Sequence, residues 1–278
     1  MRKLLNANFA RLWKSKVFWV LELFAFLWGT AMYVMVYNNV QNIGMDWLLA
    51  NADYYFFFVV LYMGALTAVF ASLYIGTEYS DGTMRNKLVV GHCRRDVYLS
   101  SLTVTTIVTL IIMLTHFLAA IVVGIPAVGM DVLTAVDHIP LKIGCSLVVI
   151  LAYASVFTLL AMLDTSKARC AVLSIVLALA LILIGIVVFG TLAQPELTSK
   201  MVMQEDGSFL RQENIPNPRY VSGWMRSVLS TAEMFLPSAQ GVRIASGKLS
   251  MPGVIGVFVL SMLLNMIGIM FFKKKDIK

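Results

Sequence analysis

Charged residues are scarce in this chain of 278 residues, and their scarcity excludes an ordinary soluble domain. Asp, Glu, Lys and Arg together make up 13% of the sequence, whereas soluble domains carry about 25%. Hydrophobic residues make up 59%, so the chain requires lipid as its solvent. The formal net charge of +7 then indicates loops held at an anionic lipid surface and does not indicate nucleic-acid binding.

Cysteine is also rare. The three cysteines, Cys93, Cys145 and Cys170, are scattered, odd in number and include no Cys-x-x-Cys pair. This pattern favours neither a disulfide framework nor a zinc site. The patterns His-Glu-x-x-His and Gly-x-Ser-Gly are absent, which argues against an intramembrane protease of the metallo or serine type. We therefore predict no catalytic residue and no metal site.

A phosphate-binding loop is missing as well. Such a loop follows the pattern Gly-x-x-x-x-Gly-Lys-Ser/Thr, whose backbone amides hold the phosphates of a nucleotide. The nearest candidate is Gly247-Lys248, but Val242 stands at the position of the first glycine and Leu249 stands where Ser or Thr is required. The chain is therefore not expected to hydrolyse ATP by itself, and we predict no cofactor bound to it.

Six apolar stretches are long enough to cross a membrane. A bilayer core requires about 20 apolar residues in helical form. The stretches and their loops fill the sequence, so residues 1–278 are predicted to form a single all-α, multi-pass membrane domain. The spans are expected near 17–37, 54–75, 99–125, 143–163, 170–192 and 254–272.

Residues 1–16 precede the first span and combine basic with apolar residues. Basic side chains fall largely outside an apolar stripe of helical spacing, formed by Leu4, Leu5, Phe9, Leu12 and Trp13. This pattern is typical of an amphipathic helix at the membrane interface, with Trp13 at the level of the lipid headgroups. A frayed basic tail is the alternative.

The distribution of basic residues predicts the orientation. The segments 1–16, 76–98, 164–170 and 273–278 hold 15 Lys and Arg in 52 positions. The opposite side, made of 38–53, 126–142 and 193–253, holds 7 in 94 positions. Because the cytosolic loops of membrane proteins carry the excess of Lys and Arg, both termini are predicted to be cytosolic.

The longest break between spans is the outer segment 193–253. Its first part, 204–220, is polar and rich in turn residues, which indicates a surface loop. Its second part, 221–247, alternates apolar and small residues and is too interrupted for a span. Short helices packed into the outer mouth of the bundle fit this pattern, because irregular backbone at membrane depth must be buried in protein or face water.

A compact charged segment follows the second span. Ser80 or Asp81 can cap a short helix, and Gly91 can end it in a left-handed conformation. Met84 and Leu88 lie one helical turn apart and would form an apolar tip. Physical chemistry alone leaves two interpretations open: a short helix that a partner protein can push, or a basic loop that only obeys the charge rule.

This segment resembles the cytosolic coupling-helix region of the permease subunits of type-2 ABC exporters. Their pattern is roughly Glu-x-x-x-Gly-Thr, a short basic helix, Gly-x-x-Arg and an aliphatic start of span three. The matching residues here are Glu78, Gly82-Thr83, Arg85-Asn86-Lys87-Leu88, Gly91, Arg94 and Tyr98-Leu99. One departure is Ser100, where lysine is common.

A second stretch is similar to the outer re-entrant region of the same permeases. It consists of Asn217-Pro218-Arg219-Tyr220-Val221-Ser222-Gly223, followed by Phe235-Leu236-Pro237-Ser238-Ala239-Gln240. The six-span layout and the basic amphipathic start agree with the resemblance. It covers the whole chain by topology and about 45 residues by motif.

The resemblance implies a subunit of an ATP-driven exporter in a bacterial cell membrane. Two ATP-binding cassette subunits would bind ATP and Mg, and a second copy or a sibling permease would complete the complex. The contacts with the ATPase would come from Glu78, Gly82, Thr83, Met84, Arg85, Lys87, Leu88, Gly91, Arg94 and Arg95. The outer gate would include Tyr220, Phe235, Leu236, Pro237 and Gln240.

Three polar residues fall within predicted spans: Glu22, His116 and Asn265. Polar groups in a membrane are candidates for substrate contact, but hydrogen bonds to a neighbouring helix are the more common reason for them. Glu22 is close enough to the start of the first span for its carboxylate to reach the interface. An apolar path suits a hydrophobic, amphipathic or peptide substrate. A six-span channel or a membrane scaffold or sensor is the alternative, although no ring of charged or carbonyl groups typical of a channel is visible.

Overall fold

The computed structural model describes residues 1–46, 51–129, 136–203 and 209–276. Over these ranges the chain is a bundle of long helices with short helices at both ends and one small β-hairpin. The helices and strands are α1 (Arg2–Trp13), α2 (Lys16–Ile43), α3 (Ala52–Ser80), α4 (Thr83–Val89), α5 (Arg94–Ala119), α6 (Ile139–Leu163), α7 (Lys167–Leu192), β1 (Leu197–Met203), β2 (Phe209–Pro216), α8 (Gly223–Phe235), α9 (Pro237–Ala245) and α10 (Met251–Lys274). A π-helical segment, Ala120–Gly124, continues α5 into a final turn, Ile125–Val128.

Six helices are long and apolar enough to cross a membrane: α2, α3, α5 with its extension, α6, α7 and α10. Each of the six predicted spans lies inside one of these helices, so the prediction of an all-α, multi-pass membrane protein is confirmed. The helices extend beyond the apolar stretches because caps and turn residues decide where a helix ends. Ser15 and Ser166, for example, each accept a hydrogen bond from the first turn of the helix that follows.

Helix α3 is at the centre of the bundle. Two thirds of its most apolar stretch is buried within the protein, compared with 22% for α7 and 28% for α10. It packs against α5, α6, α7 and α9. The helices α2, α7 and α10 instead expose rows of apolar side chains on their outer faces, as expected of helices bordered by lipid.

Glycines allow the helices to approach one another closely. A Cβ atom at Gly64 would lie 2.6 Å from the ring of Tyr153, so the side chain of α6 packs directly on the backbone of α3. Gly29, Gly185 and Gly268 make similarly close contacts with neighbouring helices. Membrane helices associate through such small residues because no hydrophobic effect drives them together in lipid.

The outer segment contains a β-hairpin where a loop was predicted. Strands β1 and β2 pair in antiparallel fashion, with Leu197 opposite Pro216 and Met203 opposite Phe209. The prediction of a surface loop is therefore wrong for residues 209–216. The sequence does carry a hairpin signal, Asp206-Gly207 between two segments that can be extended.

We predict that Gly64→Leu destabilises the bundle by roughly 1–3 kcal/mol, because the added side chain overfills the contact with Tyr153. The thermal unfolding midpoint of the purified protein in detergent measures this. Gly144→Leu on α6 is the matched control, since a Cβ there meets no atom within 4 Å. Equal midpoints for the two variants would contradict the packing described for Gly64.

Candidate functional site

Two glycines delimit the short helix α4 at the basic end of the bundle. Gly82 precedes it with φ 69°, and Gly91 follows its last turn with φ 95°, both in the left-handed region that glycine tolerates best. The amide of Gly91 donates to the carbonyl of Leu88, and that of His92 donates to the carbonyl of Lys87. This pair of hydrogen bonds is a Schellman motif, which confirms Gly91 as the end of the helix.

The start of α4 differs from the prediction. Neither Ser80 nor Asp81 caps it: Gly82 occupies the N-cap position, with no side chain accepting from the first turn. Ser80 instead donates to the carbonyl of Thr77, and the Thr83 hydroxyl donates to the carbonyl of Glu78. The chain therefore turns sharply between α3 and α4, and the position of α4 depends on contacts made by its body.

The principal contact is a buried carboxylate near the end of α3. Glu78 is 1% exposed, and its Oε1 lies 2.6 Å from Nη1 of Arg11 on α1 and 2.5 Å from Nζ of Lys87 on α4. Glu78 was predicted to contact a partner directly. Its burial corrects this interpretation, because the carboxylate holds α1 and α4 on the end of α3 and does not reach the surface.

Asn8 on α1 extends this network to α5. Its Oδ1 accepts from Nζ of Lys87 at 2.9 Å, and its Nδ2 donates to Oγ of Ser100 at 3.2 Å. The hydroxyl of Tyr74 on α3 donates to the backbone carbonyl of Asn8. Ser100, the departure from the permease pattern, is thus a buried acceptor for Asn8. We call Asn8, Arg11, Glu78, Lys87 and Ser100 the ionic network.

Burial has an electrostatic cost for the network. It lowers the pKa of Lys87 from its ordinary value, and Glu78 acts in the opposite direction by stabilising the ammonium. Two cations share one carboxylate, so the removal of Glu78 would leave two partly buried positive charges without a partner. Breaking a buried ion pair from one side typically costs about 3–5 kcal/mol. The network therefore fixes α4 as a rigid part of the bundle.

The apolar face of α4, formed by Met84 and Leu88, was predicted to be an exposed tip but packs against the bundle. Met84 is fully buried and joins the core, and Leu88 packs against that core while half-buried. Met84 is therefore not part of an exposed tip. The exposed apolar residues are Val89 at 76% and Val90 at 77%.

The exposed surface of α4 also carries polar groups. Arg85 and Asn86 are exposed beside the two valines, and Thr83 and Arg95 are exposed nearby. We call Arg85, Asn86, Val89 and Val90 the α4 tip. Asn86, Val89 and Val90 were not among the predicted contacts with the ATPase. The run Leu88-Val89-Val90 contained the signal, because three consecutive residues of a helix cannot share one face.

Arg94 was predicted to contact the ATPase, but its guanidinium binds within the bundle. Its Nη1 donates to the carbonyls of Phe272 and Lys275, so it holds the end of α10. Lys275 donates in turn to the hydroxyl of Tyr79 and to the carbonyl of Met162. Burial lowers the pKa of Lys275 to about 8. These bonds tie the ends of α3, α5, α6 and α10 together.

At the opposite end, α8 and α9 form a helical hairpin that enters the bundle and returns. A Cβ at Gly241 would lie 3.1 Å from the carbonyl of Val60, eight residues or about 12 Å along α3 from its outer end. A Cβ at Gly185 of α7 would similarly meet Ser238. By contrast, Gly247 after α9 lies against Asp53, in the first turn of α3. The turn between α8 and α9 is therefore the deepest part of the hairpin.

Polar groups within the hairpin satisfy one another. Glu233 is buried and forms a two-pronged pair with Arg243, at 2.7 and 3.0 Å. Nε2 of Gln240 donates to the carbonyl of Glu233 at 2.8 Å, and the amide of Leu236 donates to the same carbonyl, which lies at the end of α8. Gln240 therefore has a structural partner in this conformation.

The structure brings together only part of the predicted outer gate. Phe235, Leu236, Pro237 and Gln240 lie in the turn between the two helices. Tyr220 precedes α8 and lies beneath the guanidinium of Arg226, near the opposite end of that helix. Since α8 has 13 residues, about 20 Å separates its two ends.

The three intramembrane polar residues occupy two places. Glu22 accepts a hydrogen bond of 2.6 Å from the hydroxyl of Thr115, and the adjacent His116 pairs with the hydroxyl of Tyr62 at 2.9 Å. Tyr62 is ten residues, about 15 Å, from the outer end of α3, which is close to the middle of a 30 Å bilayer core. Tyr62 thus places His116 deep in the bundle, whereas Glu22 is five residues, about 7–8 Å, along α2 from Val17, and the reach of its carboxylate to the interface stays a prediction.

Asn265 is separate from that pair. It donates to the hydroxyl of Ser155 at 2.9 Å and accepts from that of Tyr98 at 3.3 Å. Asn265 therefore links α10 to α6 and α5. All three residues bond to neighbouring helices, as the more common explanation predicts, and a role in substrate contact stays a prediction.

The geometry combines six membrane-spanning helices, a short helix held rigidly at the basic end and a helical hairpin that enters from the other side. No curated protein matches the chain. A family model described as ABC-2 family transporter protein matches residues 4–203, which include the ionic network, the α4 tip and five of the six spans. The chain therefore belongs to the ABC-2 transporter family, as a membrane-spanning ABC permease subunit.

Proposed function

We propose that this subunit exports a hydrophobic, amphipathic or peptide substrate, driven by ATP hydrolysis in a separate pair of ATP-binding cassette subunits. The observation that carries the proposal is the α4 tip, an exposed apolar and basic surface on a helix that the ionic network holds rigidly. A second copy of the chain, or a sibling permease, completes the membrane part. ATP and Mg bind to the partner subunits.

Helix α3 provides the physical connection between the two ends. The ionic network fixes α4 to the last turns of α3, and α9 packs against α3 near Val60. A partner that pushes the α4 tip therefore acts on a packed helix that extends to the outer hairpin. Close packing transmits such a displacement because the interior has little free volume to absorb it.

The aliphatic composition of the bundle supports the class of substrate. A polar or charged solute would require a path lined by matching groups, and Glu22 and Asn265 are instead bonded to neighbouring helices. The excess of Lys and Arg on the α4 side supports a cytosolic position for both termini and for the α4 tip.

Dependence on a separate ATPase is the first test. The purified chain alone should release no phosphate from ATP, and it should recover an ATP-binding cassette subunit from the producing cells. Phosphate release by the chain with and without that subunit measures this. Robust hydrolysis by the chain alone, or steady ion flux through the chain reconstituted without the partner, would contradict the proposal.

The α4 tip should determine assembly with the ATPase. Burial of Val89 or Val90 in a partner groove is worth roughly 1.5–3 kcal/mol. Val90→Asp replaces that contact with a charge, so partner binding should weaken by more than tenfold, because about 1.4 kcal/mol corresponds to a factor of ten. Quantitative pull-down of the ATP-binding subunit measures the change.

Val90→Thr is the matched control, since it keeps the shape and adds no charge, and it should bind within a fewfold of the original. Leu88→Asp, in contrast, should also reduce the thermal stability of the chain itself, because Leu88 packs against the core. Undiminished recovery of the partner with both Val90→Asp and Val89→Asp would show that the tip is not the docking surface.

Orientation is tested by labelling. Single cysteines replace Ser80 and Gln212, both exposed, in a background without the three native cysteines. An impermeant thiol reagent applied to intact cells should label position 212 and leave position 80 unlabelled until the cells are opened. The reverse pattern would place the α4 tip outside the cell and exclude contact with a cytosolic ATPase.

A further inference from the structure

A groove lies where the bend between α1 and α2 meets α3. Its volume is about 170 Å³, and it opens to the surface of the bundle. One end of the groove is polar, with Arg11, Lys14 and Thr77, and the other end is apolar, with Val17 and Leu73. The apolar end points along α2 and α3 into the membrane-spanning part of the bundle.

The groove is at the depth of lipid headgroups. Leu73 is 21 residues from the outer end of α3 at Ala52, about 32 Å, which matches the thickness of a bilayer core. Trp13 and Trp19 are both half-exposed at the same bend, with their ring centroids 6.0 Å apart. Tryptophan concentrates at the membrane interface, so the bend marks that level independently.

The charge of the groove is one-sided. It is lined by two cationic side chains and by no acidic one. The guanidinium of Arg11 stacks on the ring of Tyr74, at 3.7 Å, and gives one hydrogen bond to Glu78 through Nη1. Its Nε and Nη2 are buried, and neither has a hydrogen-bond partner among the described residues.

The ionic network adds to this imbalance. Arg11 and Lys87 share the single carboxylate of Glu78, which leaves one positive charge uncompensated inside the network. The excess positive charge favours an anion in the groove, which Arg11 and Lys14 both line. The side chain of Lys14 is exposed at the same end and can reach the same anion.

We propose that this groove binds one anionic phospholipid from the leaflet at the basic end of the bundle. The phosphate is held by Arg11 and Lys14, and the beginning of an acyl chain lies along Val17 and Leu73. The lipid neutralises the excess charge of the network that positions α4. The site thus connects the lipid composition of that leaflet with the rigidity of the α4 tip, whatever the substrate of the permease is.

The test measures lipid binding to the full-length, delipidated protein in a neutral detergent. Native mass spectrometry titrates phosphatidylglycerol and phosphatidylcholine of identical acyl chains, with inorganic phosphate as a third arm. The original protein should bind one phosphatidylglycerol at least fivefold more tightly than phosphatidylcholine. Inorganic phosphate should neither compete with the lipid at equal concentration nor raise the unfolding midpoint to the same extent, because it lacks the acyl contact.

Lys14→Gln should weaken phosphatidylglycerol binding by about fivefold, a typical effect of one basic residue at an anionic lipid surface. Lys14 makes no described ion pair, so this variant should fold normally. Arg11→Gln should weaken binding further. Arg2→Gln removes the same charge from an exposed position of α1 outside the groove, and it should leave binding unchanged.

Three results would overturn the proposal. Equal losses with Lys14→Gln and Arg2→Gln would show a diffuse attraction to basic residues and no site. Equal binding of the two lipids would exclude recognition of an anionic headgroup. A phosphate effect as large as that of phosphatidylglycerol would reduce the groove to a phosphate site without lipid.

Discussion

The ion pairs of the Glu78 carboxylate with Arg11 and Lys87 are the interaction on which the basic end of the molecule depends. The carboxylate is buried, and it is the shared partner of two cations from helices that lie before and after it in the chain. It is the one charged group of α3 that binds both the amphipathic helix α1 and the short helix α4 among the described residues. The strength of this arrangement comes from burial, since the same pairs at the surface would contribute little. A helix of seven residues has little stability of its own. The ion pair with Glu78 therefore allows α4 to transmit force as a rigid element.

The outer end uses the same principle with different residues. Glu233 and Arg243 satisfy one another inside the helical hairpin, and Gln240 donates to the carbonyl of Glu233 at the end of α8. Both ends therefore give each buried carboxylate at least one cationic partner. Helix α3 joins the two arrangements, with Glu78 at one end and the glycine contact of Val60 toward the other. The arrangement leaves the middle of the bundle to close apolar packing and to a few hydrogen bonds between helices.

The spans and the class of fold could be predicted from the sequence because long apolar stretches have few alternatives in lipid. Only one end of α4 could be predicted. A left-handed Gly91 at its C-terminus was predictable, but the N-cap at Gly82 is set by the sharp turn that follows α3. Side-chain direction was harder still. Met84 and Leu88 do share a face of α4. Whether that face contacts the bundle depends on the ion pair between Glu78 and Lys87. Glu78 also pairs with Arg11, which is far away in the sequence, so this contact could not be predicted. The hairpin of β1 and β2 was missed because its strands carry no regular alternation.

The charge pair of the outer hairpin has a consequence for biosynthesis. Glu233 and Arg243 are ten residues apart, so they can meet as soon as this stretch of the nascent chain has emerged, before α10 is made. Glu233 and Arg243 can then enter the membrane already paired, so neither charge is left unpaired in lipid until a distant helix is made. Gln240, which lies against Gly253, takes its final place only when α10 arrives. The order of synthesis thus matches the order in which the polar groups need their partners.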